Sequence, residues 1–226
     1  MTIVLTAEEM KKLDAYTIQE IGVPSMVLME RAALAVVDEL LSDDEFVTDK
    51  IAFICGIGNN GGDGVAAARL LHLKGFNVSV VLIGDRKRCT EETGLQLRIA
   101  EKYSVPIKEG LSAVQVNHKM NSADLIVDAL FGIGLSRNVQ GLYKDVINGI
   151  NASPATVLSI DIPSGVSADT GEILGTAVKA HKTVVLAYMK TGLTKEPALS
   201  LAGRISVRDI GIYIDNRIAD DLDYSI

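Results

Sequence analysis

Short, continuously apolar runs separated by helical stretches constrain the fold of this chain most strongly. The runs fall at residues 51–55, 77–83, 104–108, 124–130, 156–161, 182–187 and 204–210. Apolar runs of this length are typical of strands buried on both faces of a sheet. Helical segments fit between the first five runs, at residues 62–75, 91–103, 112–121 and 140–150. The alternation predicts parallel strands joined by right-handed crossovers.

The segment before residue 51 is predicted to form two helices. Thr6 and Glu9 fit a capping box, and the apolar residues from Met10 to Ile21 recur near helical spacing. A second helix is expected to start after Pro24. We expect this N-terminal helical hairpin to pack on an open α/β sheet with helices on both faces. The polar residues 215–226 are expected to be peripheral.

Charge and cysteine content narrow the function classes. With 22 Lys and Arg against 29 Asp and Glu, the net charge is −7, which gives no general affinity for nucleic acid or anionic membranes. Cys55 and Cys89 form neither a zinc pattern nor a disulfide framework, as expected for a reduced cytoplasmic protein. The N-terminal residues do not fit a secretory signal, and no uncharged apolar stretch is long enough to span a membrane. An anionic ligand would therefore need a local site of donors.

The sequence GIGNNGGDG at residues 56–64 follows the first long predicted strand and opens a helix. Gly56, Gly58 and Gly61 match the dinucleotide-binding fingerprint, in which glycines allow close approach to a phosphate and the helix N-terminus offers free amides. Asp63 is expected in the first helical turn, where an acid fits the helix dipole but would repel a pyrophosphate. The loop is predicted to bind something other than the usual diphosphate. A glycine-rich turn without a ligand is the alternative.

A second predicted strand ends at Asp128, which begins DALFGIGLSRN at residues 128–138. Gly132 and Gly134 bracket a tight loop there, and Arg137 supplies a cation suited to a phosphate. The alternative is an aspartate that only caps the following segment.

A third predicted strand ends at Asp161, which begins DIPSGVSADTG at residues 161–171. If these strands are neighbours, Asn60, Asp128, Asp161 and Ser164 converge at one edge of the sheet. Carboxylate, amide and hydroxyl oxygens are hard ligands that suit an alkali or alkaline-earth cation rather than zinc. Asp161 capping the next turn is again the alternative.

These motifs, together with IGVPSMVLMERAA at 21–33 and TVVLAYMKTGL at 183–193, resemble the signature set of the NAD(P)H-hydrate epimerases. The resemblance runs in order from about residue 5 to residue 212. It implies a single domain over residues 1–226, folded as a three-layer α/β/α Rossmann-like sandwich with a mostly parallel sheet. It also implies interconversion of the R and S forms of hydrated NADH and NADPH (NADHX and NADPHX). A separate ATP- or ADP-dependent dehydratase then restores the cofactor, and the epimerase is expected to be a homodimer, plausibly through its N-terminal helices.

The resemblance implies roles for individual residues. The residues implied to bind the hydrate are Asn59, Asn60, Gly61, Gly62, Asp63, Gly132, Ile133, Gly134, Leu135, Ser136, Arg137, Asn138 and Asp161. A potassium ion is implied at Asn60, Asp128 and Ser164, helped by backbone carbonyls. We predict that Asp161 is the acid–base residue, because the reaction needs one positioned proton carrier.

Two departures from the family pattern occur. Many members read GTGL where this chain has Ile133, and many read GLDADTG where it has Val166 and Ser167. The first loses a possible hydroxyl donor and the second a carboxylate, but neither changes an implied side-chain ligand. No sequence for a fused dehydratase follows, so we expect a stand-alone epimerase or an excised domain.

Two other functions remain open on sequence grounds. The literal fingerprint and Asp85, about twenty residues on, favour an NAD(P)-dependent oxidoreductase. Asp63 near the phosphate position and the lack of a Tyr-Lys proton donor pair argue against it. A non-catalytic binding module on the same fold is the third hypothesis.

Overall fold

The computed structural model describes residues 3–219, and this part of the chain forms an α/β structure. The strands are β1 (Val4–Leu5), β2 (Ile51–Cys55), β3 (Val78–Leu82), β4 (Ile107–Lys108), β5 (Leu125–Ala129), β6 (Thr156–Ile160), β7 (Lys182–Leu186), β8 (Met189–Lys190) and β9 (Arg204–Arg208). The helices are α1 (Ala7–Gln19), α2 (Ser25–Ser42), α3 (Asn59–Leu73), α4 (Glu91–Lys102), α5 (Ala113–Met120), α6 (Gly141–Ala152), α7 (Ala198–Ala202) and α8 (Asn216–Ala219).

Seven strands form one sheet in the order β4-β3-β2-β5-β6-β7-β9, with every neighbouring pair parallel. The order reverses at β2, since the chain first builds outward to β4 and then returns to place β5 on the other side of β2. Ligands of open parallel sheets bind beyond the carboxyl ends of the strands at such a reversal. A second, two-stranded sheet pairs β1 with β8 in parallel, with Leu5 opposite Lys190.

Two apolar cores lie on opposite faces of the sheet, because successive strand residues point to opposite sides. Phe53 of β2 belongs to the core that contains residues of α2, α3 and α4. Its neighbour Ile54 belongs to the core that contains residues of α5 and α6. The molecule therefore has the three layers implied by the resemblance.

Most predicted elements are confirmed, with differences at their ends. Helix α3 begins at Asn59 rather than at residue 62, and β4 comprises two residues at the edge of the sheet. The capping box of Thr6 and Glu9 is present. The pairing of β1 with β8 was not predicted.

The expectation of a peripheral C-terminal tail is wrong for Ile218, which is buried and belongs to the core that contains residues of α2 and α3. Arg217 beside it is exposed. Residues 220–226 lie outside the described residues. Within residues 3–219, no helix is both long and apolar enough to cross a membrane.

A buried ion-pair network ties the end of α2 to the sheet. Glu39 is buried and pairs with Lys182 of β7 and Arg208 of β9, while the Ser206 hydroxyl donates to its carboxylate at 2.8 Å. Asp43 pairs with the same Lys182 at 2.6 Å. Burial alone raises the pKa of Glu39, but hydrogen bonds from Lys182, Ser206 and Arg208 outweigh it, so this pKa lies below its ordinary value.

We expect this network to make the fold sensitive to acid. Because the pKa of Glu39 is lower in the folded chain, its ionised form stabilises the fold fully above its unfolded pKa of about 4.3, and this contribution is lost as the pH falls through the folded value. Glu39→Gln should lower the free energy of unfolding by about 3 kcal/mol near pH 7, and by much less near pH 3. Urea unfolding at both pH values measures the two differences.

Asp44→Asn is the matched control, since Asp44 is exposed beside the network, and its effect should stay within about 0.5 kcal/mol. An equal loss for Glu39→Gln at both pH values would contradict the assignment.

Candidate active site

A deep cleft of about 1240 Å³ opens at the carboxyl ends of β2, β5 and β6. Its walls come from α1 and α2, the glycine-rich loop after β2, residues 130–140, and the ends of β6, β7 and β8. A cleft of this size at the reversal of strand order is the expected position for a small-molecule site.

The glycine-rich loop is shaped by two close backbone approaches. A Cβ on Gly61 would lie 1.9 Å from the carbonyl oxygen of Gly56, and a Cβ on Gly56 would lie 2.1 Å from that of Leu130. Both positions therefore require glycine for packing. Gly58, the N-cap of α3, has open space where a Cβ would stand and lines the cleft. It leaves the first amides of α3 accessible to a ligand.

The prediction for Asp63 as a first-turn cap is wrong. Because α3 starts at Asn59, Asp63 is the fifth helical residue and its carboxyl lies beyond the free amides. It is buried, with 8% of its surface exposed, and lines the cleft. Burial raises the pKa of Asp63 well above its ordinary value, and the negative charges of Asp161 and Asp14 raise it further.

Asn60 lies one helical turn before Asp63 and is buried in the cleft wall. Its Nδ2 amide has no hydrogen-bond partner within the described part of the chain. A buried amide donor left without a partner is costly, so this NH2 group is suited to an acceptor atom of a bound molecule. Asn59 is exposed and also lines the cleft.

Asp128 is fully buried beneath the cleft floor. Its carboxylate accepts hydrogen bonds from the Ser164 hydroxyl at 2.6 Å, the Ser164 amide at 2.9 Å, the Ser159 hydroxyl at 2.8 Å and the Leu130 amide at 3.3 Å. Burial raises the pKa of Asp128, whereas these hydrogen bonds lower it; the net direction is upward. No cationic side chain among residues 3–219 forms an ion pair with it.

Asp161 ends β6 in a left-handed conformation, with φ of +70°. Its Oδ1 accepts from the buried Lys190 ammonium and, at 3.4 Å, from the Leu186 amide. Its Oδ2 faces Gly132, where a Cβ would lie 3.1 Å from Oδ2 and 3.4 Å from Asn60 Oδ1. Asp161, Asn60 and the loop after β5 therefore meet in the cleft, as the convergence argument predicted. Left-handed backbone at a non-glycine residue is costly and is concentrated at functional sites.

Residues Gly132 to Asn138 all line the cleft, with Ser136, Arg137 and Asn138 exposed at its rim. Gly61 and Gly62, by contrast, do not line the cleft. A Cβ on Gly62 would meet the Met29 side chain at 2.6 Å. Their substrate-binding role stays a prediction.

Lys190 is a buried, charged residue of the cleft that the sequence analysis did not assign to the site. It is 1% exposed and lines the cleft from β8. The sequence signal was the lysine that ends the apolar segment TVVLAYMK. A lysine that is fully buried almost always has a partner, so a lysine in such a segment points to a paired charge.

The remaining sequence candidates lie elsewhere. Asp85, the acid expected to bind a ribose in an oxidoreductase, is exposed and accepts from the Lys87 amide at 3.0 Å, where it caps a short 3₁₀ turn outside the cleft. Within the described residues, no group of three or more His, Cys, Asp or Glu side chains is arranged to hold a metal.

The parallel sheet, the cleft at its strand reversal and the buried carboxyl groups define a Rossmann-like α/β enzyme that acts on a small molecule. The chain belongs to the family of the YjeF-related protein N-terminus, whose model matches residues 25–192.

Several curated relatives of this chain are named NAD(P)H-hydrate epimerase. "NAD(P)H-hydrate epimerase" of Oenococcus oeni is 47% identical over 94% of this chain and 98% of its own length. The protein of the same name from Limosilactobacillus reuteri is 48% identical over 93% of this chain and 97% of its own length. The crystal structure of yeast ynu0 superimposes with a TM-score of 0.79 over 99% of this chain and 94% of that chain, at 23% identity, which supports the fold.

Proposed function

We propose that this chain is an NAD(P)H-hydrate epimerase, an isomerase that interconverts the R and S forms of NADHX and NADPHX in nicotinamide cofactor repair. The observation that carries the proposal is the meeting of Asp161, Asn60 and the Gly132 loop in one cleft. Membership of the family and the high identity to curated epimerases support it.

The reaction needs a proton carrier beside one carbon. That carbon bears both a hydroxyl group and the ring nitrogen. When an acid protonates the hydroxyl, the nitrogen lone pair expels water and leaves a flat, electrophilic carbon. Water that adds to the opposite face and returns a proton inverts the centre, so atoms and protons balance over the cycle. Opening the ring to an aldehyde and reclosing it requires the same proton transfers.

Asp161 is the proposed proton carrier, because its Oδ2 faces the cleft while Oδ1 is held by Lys190 and Leu186. Asp63 is a second acid in the same wall, and burial raises its pKa well above the ordinary value. The left-handed backbone of Asp161 favours aspartate or asparagine, so Asn can replace it without a change of conformation.

Asp161→Asn should therefore lower kcat by at least about 100-fold with little change in thermal stability. One purified epimer is incubated with enzyme, and the other is followed by chromatography. Asp63→Asn is the matched comparison, since it removes the other buried carboxyl from the same wall. Near wild-type turnover of Asp161→Asn, with a large loss for Asp63→Asn, would transfer the acid–base role to Asp63. A folded wild-type protein that leaves a single epimer unchanged would contradict the proposed function itself.

A potassium ion fits the oxygens around Ser164. The Ser164 hydroxyl has one hydrogen but lies 2.6 Å from Asp128 Oδ1 and 3.3 Å from the Phe131 carbonyl oxygen. This single hydrogen can serve only one of the two oxygens, and no cationic side chain in the described part of the chain forms an ion pair with the buried Asp128. One carboxylate with neutral oxygens favours a monovalent cation. Asp128, Ser164 and Asn60 would hold the ion, which would supply positive charge beneath the cleft floor.

We expect potassium chloride to raise the melting temperature by roughly 2–4 °C over choline chloride at equal ionic strength. Asp128→Asn should abolish this difference, whereas Asp124→Asn, at the opposite end of the same strand, should keep it. An equal response in all three proteins would contradict the cation site.

The exposed face of α2 supports a homodimer. Val27, Leu34 and Leu41 recur at seven-residue spacing and are 46%, 42% and 43% exposed. Arg31 and Asp38 lie between them on the same face. In an antiparallel pair of α2 helices centred on Leu34, Val27 faces Leu41 of the other copy, which makes the apolar stripe self-complementary.

Leu34→Glu should raise the dimer dissociation constant at least about tenfold, because it buries a like charge against its symmetry mate. Sedimentation equilibrium measures the change. Val114→Glu, at an exposed apolar residue far from α2 in sequence, is the control that should leave the dimer intact. A monomeric wild-type chain, or a Leu34→Glu chain that remains fully dimeric, would contradict this interface.

A further inference from the structure

Lys190 connects the ends of two strands through a single ammonium group. Its Nζ donates to Asp161 Oδ1, just past the end of β6, and at 2.6 Å to the carbonyl oxygen of Leu186, at the end of β7. An ammonium has three hydrogens, so one remains for the cleft that the residue lines. With only 1% of its surface exposed, Lys190 is a charge taken almost fully out of water.

Its backbone is fixed from a different direction. Ala187 has φ of +60°, which turns the chain back after β7 so that β8 pairs with β1 instead of continuing the main sheet. Leu5 stands opposite Lys190 in that pairing. The Ala7 amide donates to the Asp169 carboxylate at 2.6 Å, which attaches the start of α1 to the segment that follows Asp161.

Asp161 itself is held at one oxygen only. Oδ1 accepts hydrogen bonds from the Lys190 ammonium and the Leu186 amide. Oδ2 has no donor among the described residues and faces Gly132. Without Lys190, the Asp161 carboxylate would keep only the long 3.4 Å hydrogen bond from the Leu186 amide. The pair therefore has the arrangement of a reacting carboxylate and the group that orients it.

We propose that Lys190 is a positioning residue of the epimerase, which fixes the Asp161 carboxylate so that Oδ2 stands at the reacting carbon. The proposal rests on the proposed function. It extends that function to a residue outside the glycine-rich loop and the loops that begin at Asp128 and Asp161. Its action passes through Asp161, and this dependence separates it from a residue that only stabilises the fold or contacts the substrate by itself.

The test is a double-mutant cycle on the epimerase reaction. Lys190→Met keeps the length of the side chain and removes its charge, and should lower kcat about 10- to 100-fold with KM changed less than about threefold. In the Asp161→Asn background the same substitution should cost less than about twofold, because the group that it positions is already lost. Lys190→Gln keeps a donor without the charge and should fall between wild type and Lys190→Met.

Lys182→Met is the matched control. Lys182 is also a buried lysine paired with carboxylates, but it lies in the Glu39 network outside the cleft. It should lower the melting temperature while kcat at room temperature stays within about twofold of wild type. Should Lys190→Met fail to fold, Lys190→Gln decides the same comparison.

Near wild-type kcat in a folded Lys190 variant would overturn the proposal. A double variant whose loss of kcat equals the product of the losses in Lys190→Met and Asp161→Asn would overturn it as well. A similar loss of kcat in Lys182→Met would reduce the role of Lys190 to stability. These outcomes are read only against a wild type that equilibrates the epimers. An inactive wild type would instead contradict the proposed function.

Discussion

Seven parallel strands end at one edge of the sheet, and this constraint determines where the polar loops of the chain can go. The loops after β2, β5 and β6 follow three adjacent strands, so their side chains meet without any further device. Because the strands are buried on both faces, polar side chains that bind a ligand lie mainly in the loops at the strand ends. The cleft is therefore a consequence of strand order as much as of the residues that line it.

Charge within the cleft is arranged by depth. Asp128 lies beneath the floor among hydroxyl and amide donors, whereas Asp161 stands at the surface of the cleft with a lysine on one oxygen. Asp63 has neither arrangement and carries a raised pKa. Burial raises the pKa of both Asp63 and Asp128, but only at Asp128 do hydrogen bonds oppose this rise.

Much of this could be predicted from the sequence, because the informative signals are local. The apolar runs predicted the seven strands of the main sheet, and the adjacency of Asn60 and Asp161 followed from parallel topology. The position of Asp63 was missed, because the start of α3 depends on the close approach of Gly61 to Gly56 and shifts the helix by three residues. Lys190 was missed because its partner strand β1 is only two residues long and carries no periodic pattern. Contacts between distant, short segments leave no trace in local spacing.

The pairing of β1 with β8 also affects how the site is assembled during synthesis. Leu5 is synthesised long before Lys190, yet the two stand opposite each other in a pairing whose lysine contacts Asp161. Closing this long loop costs conformational entropy before the contact contributes any stabilisation. The sheet strands β2 to β6 can pair earlier, because all of them precede Lys190 in the chain. A nascent chain can thus hold most of its sheet while Asp161 still lacks the lysine that orients it, and the finished cleft is a late product of folding.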